Sequence, residues 1–259
     1  MKSNFNWCNL KQLNLLQTFL AFFLPSLFAF WGFRYILPWT VEAGYPKNLM
    51  WAIIASIMLL FFVIIGLLLI KEDAKSAGVS IGERLLIKKI GIKQWLISFV
   101  IMISGIILSI IASPISELIK EISIFSIPDY MPFWLNPSID PMSTNMNTLS
   151  PNYSLKGNYL FLTIMLFTLL LNIFAEEIYF RAWLLPKMYS LGKWSWIING
   201  FLFALYHTYQ LWLFPTIFVV SLATTLSVYL SKSILPAFTI HIIANFLLGI
   251  ITITVLVLK

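Results

Sequence analysis

The 259-residue chain is poor in charge, in histidine and in cysteine, and each scarcity excludes something. Charged residues make up 10% of it, where a soluble domain carries roughly a quarter. Hydrophobic residues make up 60%, and the mean hydropathy is +0.90. So little charge cannot cover a water-facing surface of this size, and the surplus apolar surface needs a bilayer as solvent. The single Cys8 rules out an internal disulfide. There is no His-Glu-x-x-His helix. A Gly-x-Ser-Gly-like turn is absent, and Asp73, Asp129 and Asp140 all fall in loops, which disfavours the serine and aspartyl types of intramembrane hydrolysis. No internal repeat or low-complexity tract is seen. The opening MKSNFNWCNLKQLN leads into an apolar block too long for a cleavable signal and shows no small-x-small cleavage site. The net charge of +7 is gathered between apolar blocks, as in anchors for anionic headgroups, so a bilayer rather than a nucleic acid is the expected partner.

What the chain does have is long apolar runs. A span needs about 20 residues. Candidates are 13–37, 49–70, 95–115, 159–185, 194–214, the shorter 215–230, and 234–258. The expected fold is an all-α polytopic bundle of about seven spans, six to eight given the short sixth. Segment 71–94 holds six Lys/Arg and is expected in the cytoplasm. Segment 120–157 is rich in Pro, Asn and Ser, and is expected outside with little regular structure, either as a plain connector or as a cap over a cavity. Residues 1–157 thus form an N-terminal set of spans, and 158–259 a C-terminal helical core.

Of ten acidic residues, only Glu176 and Glu177 lie inside a span. Charge at that depth costs a few kcal/mol and usually faces a protein interior or wet cavity. Both histidines, His207 and His241, also lie inside spans, and no loop has one. Helical spacing sorts these groups. Glu177 and Arg181 stand at i, i+4, the favourable order for an ion pair, while Glu176 is turned by about 100° and faces something else. Phe203 and His207 are one turn apart, which predicts an aromatic stacked below the imidazole. His241 and Asn245 share another face. A glutamate, two histidines and an amide can activate water and hold an oxyanion. Each feature alone reads as structural glue; together, on three helices, they favour a site.

In order and spacing, Glu176-Glu177-x-x-x-Arg181, Phe203-x-x-x-His207 and His241-x-x-x-Asn245 resemble the three motifs of the CPBP (Abi) intramembrane proteases. That family includes the Rce1-type CAAX prenyl endopeptidases and bacterial proteins linked to bacteriocin processing and self-immunity. The resemblance covers about 172–246. It implies that Glu176 acts on water with His207 as its partner, that His241 and Asn245 stabilise an oxyanion, and that Glu177 and Arg181 hold the site together. It implies a peptide or protein substrate at the membrane and a bacterial cytoplasmic membrane as the setting. The family is named for metalloproteases.

The residues leave the metal open. Glu176, His207 and His241 could ligate Zn2+ with one position free, or they could polarise water without it. A metal-bound imidazole normally passes its second N–H to an acceptor. Among the side chains one turn from the histidines (Phe203, Leu211, Ala237 and Asn245), only Asn245 can accept, which favours a metal-free site. Counted along their spans, the reactive groups converge nearer the cytoplasmic side, with Glu176 about 14 Å from the inner end. Two other readings compete with a peptidase: a transporter or proton relay, which usually shows the inverted repeats not found here, and a non-catalytic immunity or scaffold protein.

Overall fold

Each long apolar block becomes a helix, and the helices begin and end where caps and left-handed residues dictate. The computed structural model describes residues 5–258, with 246–248 as backbone only. Helix α1 (Leu15–Glu42) opens at Asn14, whose side chain accepts from the Gln17 N–H at 2.8 Å while Gln17 accepts from the Asn14 N–H at 3.1 Å. Helix α2 (Lys47–Ala77) stops at Gly78, which takes the left-handed conformation (φ 66°) that glycine adopts without strain. Helix α3 (Ile92–Ile119) presents Leu96, Val100, Ile107 and Ile110 outward, a lipid-facing stripe. Helix α4 (Tyr159–Lys187) is capped by Asn158, which accepts from the Phe161 N–H. Helix α5 (Ser195–Tyr206) is followed by a tight turn at Thr208–Leu213, then by α6 (Phe214–Ser231) and α7 (Leu235–Leu258). No strand occurs among the described residues.

Six of these segments are long and apolar enough to cross a membrane, α6 being counted with the turn before it. This is the polytopic helical bundle expected, with one adjustment. The short element is the fifth rather than the sixth. Helix α5 has 12 residues, about 18 Å, because it ends at His207 instead of running on to Phe214.

Small and hydroxyl residues let the helices meet. Helix α4 packs along α2, and α6 lies between α3 and α5. A Cβ at Gly66 of α2 would stand 3.0 Å from Ile178 Cγ2 of α4, so glycine is what allows that approach. Ser56 and Thr168 join hydroxyls across the same seam at 2.7 Å.

The two ends of the bundle differ. At the basic end, Arg84 is fully buried rather than exposed as an anchor. Its Nη1 donates to the Ala182 carbonyl at 2.5 Å, and its Nη2 to Asp73 at 2.7 Å and to the Trp183 carbonyl at 2.9 Å. Lys187 donates to the other Asp73 oxygen at 2.8 Å. Burial pushes the Arg84 guanidinium below its usual pKa, and Asp73 beside it pulls the other way. At the opposite end, 120–158 contains only short helical turns. Trp212 donates from Nε1 to the Leu135 carbonyl at 2.6 Å, pegging this segment to the turn after α5.

Candidate active site

All three helices that carry the sequence motifs lose α-helical regularity at the candidate residue. Glu176 is the last α-helical residue before a π-helical stretch, Glu177–Leu184. His207 is the first residue past the end of α5. His241 directly precedes another π-helical stretch, Ile242–Leu247. π-helical turns inside α-helices occur often at functional sites, because the widened turn re-aims side chains.

These breaks bring four of the candidate groups together in a buried cluster. Glu176 is 5% exposed, Glu177 1% and His207 7%. Glu176 Oε1 lies 3.6 Å from His207 Nε2, and its Oε2 lies 3.8 Å from His241 Nε2. These gaps are slightly longer than direct hydrogen bonds. Both imidazoles are held from behind. His207 Nδ1 is 3.0 Å from the Phe203 carbonyl, and His241 Nδ1 is 2.9 Å from Glu177 Oε1. An Nδ1–H donated to these acceptors points each Nε2 at Glu176. Asn245 lines the same cavity with its side chain exposed.

The structure departs from the expected helical spacing at three points. Among the described residues, Glu177 and Arg181 form no ion pair within 4 Å. The π-helical turn carries Arg181 off the face of Glu177, so Glu177 meets His241 instead. Arg181 Nη2 donates to Ser221 Oγ at 3.1 Å, and its guanidinium lies 3.8 Å from the Phe203 ring centroid, still within electrostatic range of both glutamates. Secondly, Phe203 does not stack on His207: the rings meet edge to face at 5.0 Å and 72°, while the face of Phe203 takes Arg181. Thirdly, the histidines do not lack acceptors at Nδ1. The Phe203 backbone carbonyl and the Glu177 carboxylate provide them, and neither was among the side chains considered one turn away.

One residue was missed although its spacing was visible. Asn172, at i−4 from Glu176, donates from Nδ2 to Glu176 Oε1 at 2.8 Å and fixes that carboxylate.

The cluster opens into a cavity of about 680 Å3, within the usual range for ligand sites. It runs from Glu176 toward the loop end, where Trp134–Pro137 contribute to its wall. The 120–157 segment therefore borders the cavity.

Both Nδ1 acceptors suit metal-bound imidazoles. However, the two Nε2 atoms face different oxygens of Glu176, so the carboxylate stands between the imidazoles instead of beside them. Among the described residues, no three His, Cys, Asp or Glu side chains are grouped to hold an ion. The arrangement of the described residues does not fit a three-ligand cage.

A helical membrane protein with a buried carboxylate–imidazole cluster is the class these features define. Residues 158–247, about a third of the chain, match the family model for type II CAAX prenyl endopeptidase Rce1-like proteins, so this stretch is similar to that family. No curated protein and no solved structure matches the chain. The match spans all three motifs and agrees with the resemblance read from them.

Proposed function

We propose that this protein is an intramembrane endopeptidase that cleaves peptide bonds near the membrane surface, with Glu176 as general base. The observation that carries this is one carboxylate facing two imidazoles, each held at Nδ1. A water between Glu176 and His207 gives a proton to Glu176 while His207 Nε2 accepts its other hydrogen. The oxygen adds to the scissile carbonyl carbon. The oxyanion formed takes a hydrogen bond from Asn245 and from Nε2 of protonated His241, which Glu177 supports at Nδ1. Donors preset for charge that develops only in the transition state lower the barrier most. Glu176 then passes its proton to the amine nitrogen as the C–N bond breaks, restoring the carboxylate. Glu177 and Asn172 are positioning residues, and Arg181 offsets the two carboxylates.

Against a proton or solute pathway stands the closed end below the cluster. Ala182, Leu184 and Leu185 are fully buried there, and Arg84 seals them. The basic end is the cytoplasmic one in this reading, by its Lys/Arg content. Peptidase and peptide-binding scaffold separate in one experiment. The full-length protein in lipid nanodiscs is given a farnesylated peptide ending in Cys-aliphatic-aliphatic-any residue, and the same peptide unprenylated. Wild type should release a C-terminal fragment, seen by mass spectrometry, and Glu176→Gln should not, at an unchanged unfolding temperature. Binding without cleavage by wild type, or full turnover by Glu176→Gln, would overturn the assignment.

A further inference from the structure

The loop end of the cavity has polar groups that the mechanism does not use. Trp51 lies one turn into α2 from its Lys47 end, and Trp134 lies in the 120–158 segment; their rings meet edge to face at 5.5 Å. Both line the cavity, and both indole Nε1 atoms are buried with no hydrogen-bond partner in the protein. Gln210 lines it too. It is 7% exposed, and its Oε1 is likewise buried and unpartnered. A buried tryptophan N–H usually finds an acceptor, as Trp212 does at Leu135. Leaving a buried polar group unpaired costs about 1–3 kcal/mol. Two orphan donors and one orphan acceptor among the residues lining one cavity are therefore binding groups lacking their complement.

The backbone keeps Gln210 near the reaction. The Gln210 N–H donates to the His207 carbonyl at 2.9 Å, and Gln210 itself breaks the helical turn with φ −140° and ψ 49°. A side chain three residues from His207 thus faces the same cavity as the imidazole.

The pattern of groups selects the ligand class. A prenyl chain has no hydrogen-bonding group. A lipid phosphate or ester only accepts, and would leave Gln210 Oε1 unpaired. A peptide main chain offers carbonyls to the indoles and an N–H to the glutamine. We propose that the loop end of the cavity is a main-chain subsite, where Trp51 and Trp134 donate to substrate carbonyls and Gln210 Oε1 accepts a substrate N–H. The peptide then lies extended from Glu176 toward the 120–158 segment. This deepens the endopeptidase reading and rests on it for the direction of the substrate.

The test uses full-length Glu176→Gln protein in nanodiscs, which holds the probe uncleaved. The probes are the farnesylated peptide above and a series in which one amide at a time is replaced by an ester, removing a single N–H. Trp134→Phe, Trp51→Phe and Gln210→Leu keep ring or volume and should unfold at the parent temperature. Each should weaken peptide binding about two- to tenfold, the loss of one net hydrogen bond. In the wild-type background the same changes should raise KM and leave kcat nearly unaltered. One ester position should cost the parent a similar factor and cost Gln210→Leu nothing further, since the partner is already gone. Unchanged Kd and KM in all three variants, no sensitive ester position, or no binding of any probe would overturn the subsite. If the coupling appears while wild type cleaves nothing, the subsite stands and the catalytic reading falls.

Discussion

Two groups of buried charge share α4, and they are built to opposite rules. Near its Lys187 end, Arg84, Asp73 and Lys187 spend their polar atoms on one another and on the carbonyls of Ala182 and Trp183; only Arg84 Nε is left over. About two turns earlier, Glu177 Oε2 and Arg181 Nε and Nη1 have no partner in the protein, and Glu176 stands just out of bonding range of two imidazoles. The first group is a bolt, holding the basic segment to the helix that carries the glutamates. The second is held open. Buried charge is expensive wherever it lies. What separates structure from chemistry is whether its hydrogen-bonding capacity is used up inside the fold.

That contrast can be broken from either side. The largest effect should come from Glu176→Gln, which loses on the order of 10³-fold in kcat/KM as a general base is removed, with no change in unfolding temperature. Arg84→Met should do the reverse. Removing one member of a buried pair costs roughly 3–5 kcal/mol, so thermal unfolding should shift well down while turnover per folded molecule stays within about twofold. If Arg84→Met instead abolishes turnover in folded protein, the two clusters are coupled and the contrast fails. Glu177→Gln falls between them. It weakens the acceptor behind His241, and kcat should drop on the order of 10²-fold with KM little changed. A loss confined to stability would return Glu177 to a purely structural role.

A smaller effect is expected at Lys232, outside the spans. Its Nζ lies 3.7 Å from the Trp7 ring centroid, 4.1 Å from Tyr229 and 5.0 Å from Tyr189. Burial lowers its pKa from the usual 10.5 to about 8, and the aromatic faces, which favour the ammonium, oppose that. Between these values the unfolded chain binds more protons than the folded one, so stability should rise from pH 8 to 10.5 and be flat below. Thermal unfolding across that range checks it; a flat curve would mean the three rings cancel the burial. The least effect should follow treatment with a strong chelator, after which most activity should remain. Complete loss, restored by stoichiometric zinc but not by magnesium, would make the open cluster a metal centre.

Much of the bundle was legible because membrane spans announce themselves by length and apolarity. The candidate groups stood out because Glu176, Glu177, His207 and His241 are costly where they lie. Their partners were harder to read. The Glu177–Arg181 pairing assumed 3.6 residues per turn, and the π-helical turn removes that premise. The Phe203 carbonyl behind His207 is backbone, invisible to any survey of side chains. The burial of Arg84 depends on Asp73, Ala182 and Trp183, brought together only by tertiary packing. Asn172 is different: it sat at the right spacing, in an apolar helix, and was overlooked.

The π-helical stretch after Glu176 also bears on how this chain can be edited. A π turn amounts to an α-helix with one residue added, so a single deletion within Glu177–Leu184 could restore an ordinary helix without leaving a gap in the chain. Such a protein would keep its composition, hydrophobicity and span count almost unchanged, and the helix beyond the deletion would stay near its present phase, because removing the surplus residue closes the widened turn. The anchor at Arg84 would hold, while the widened turn that keeps Arg181 off the face of Glu177 would be gone. The surplus residue thus re-aims side chains inside the helix without re-phasing its two ends.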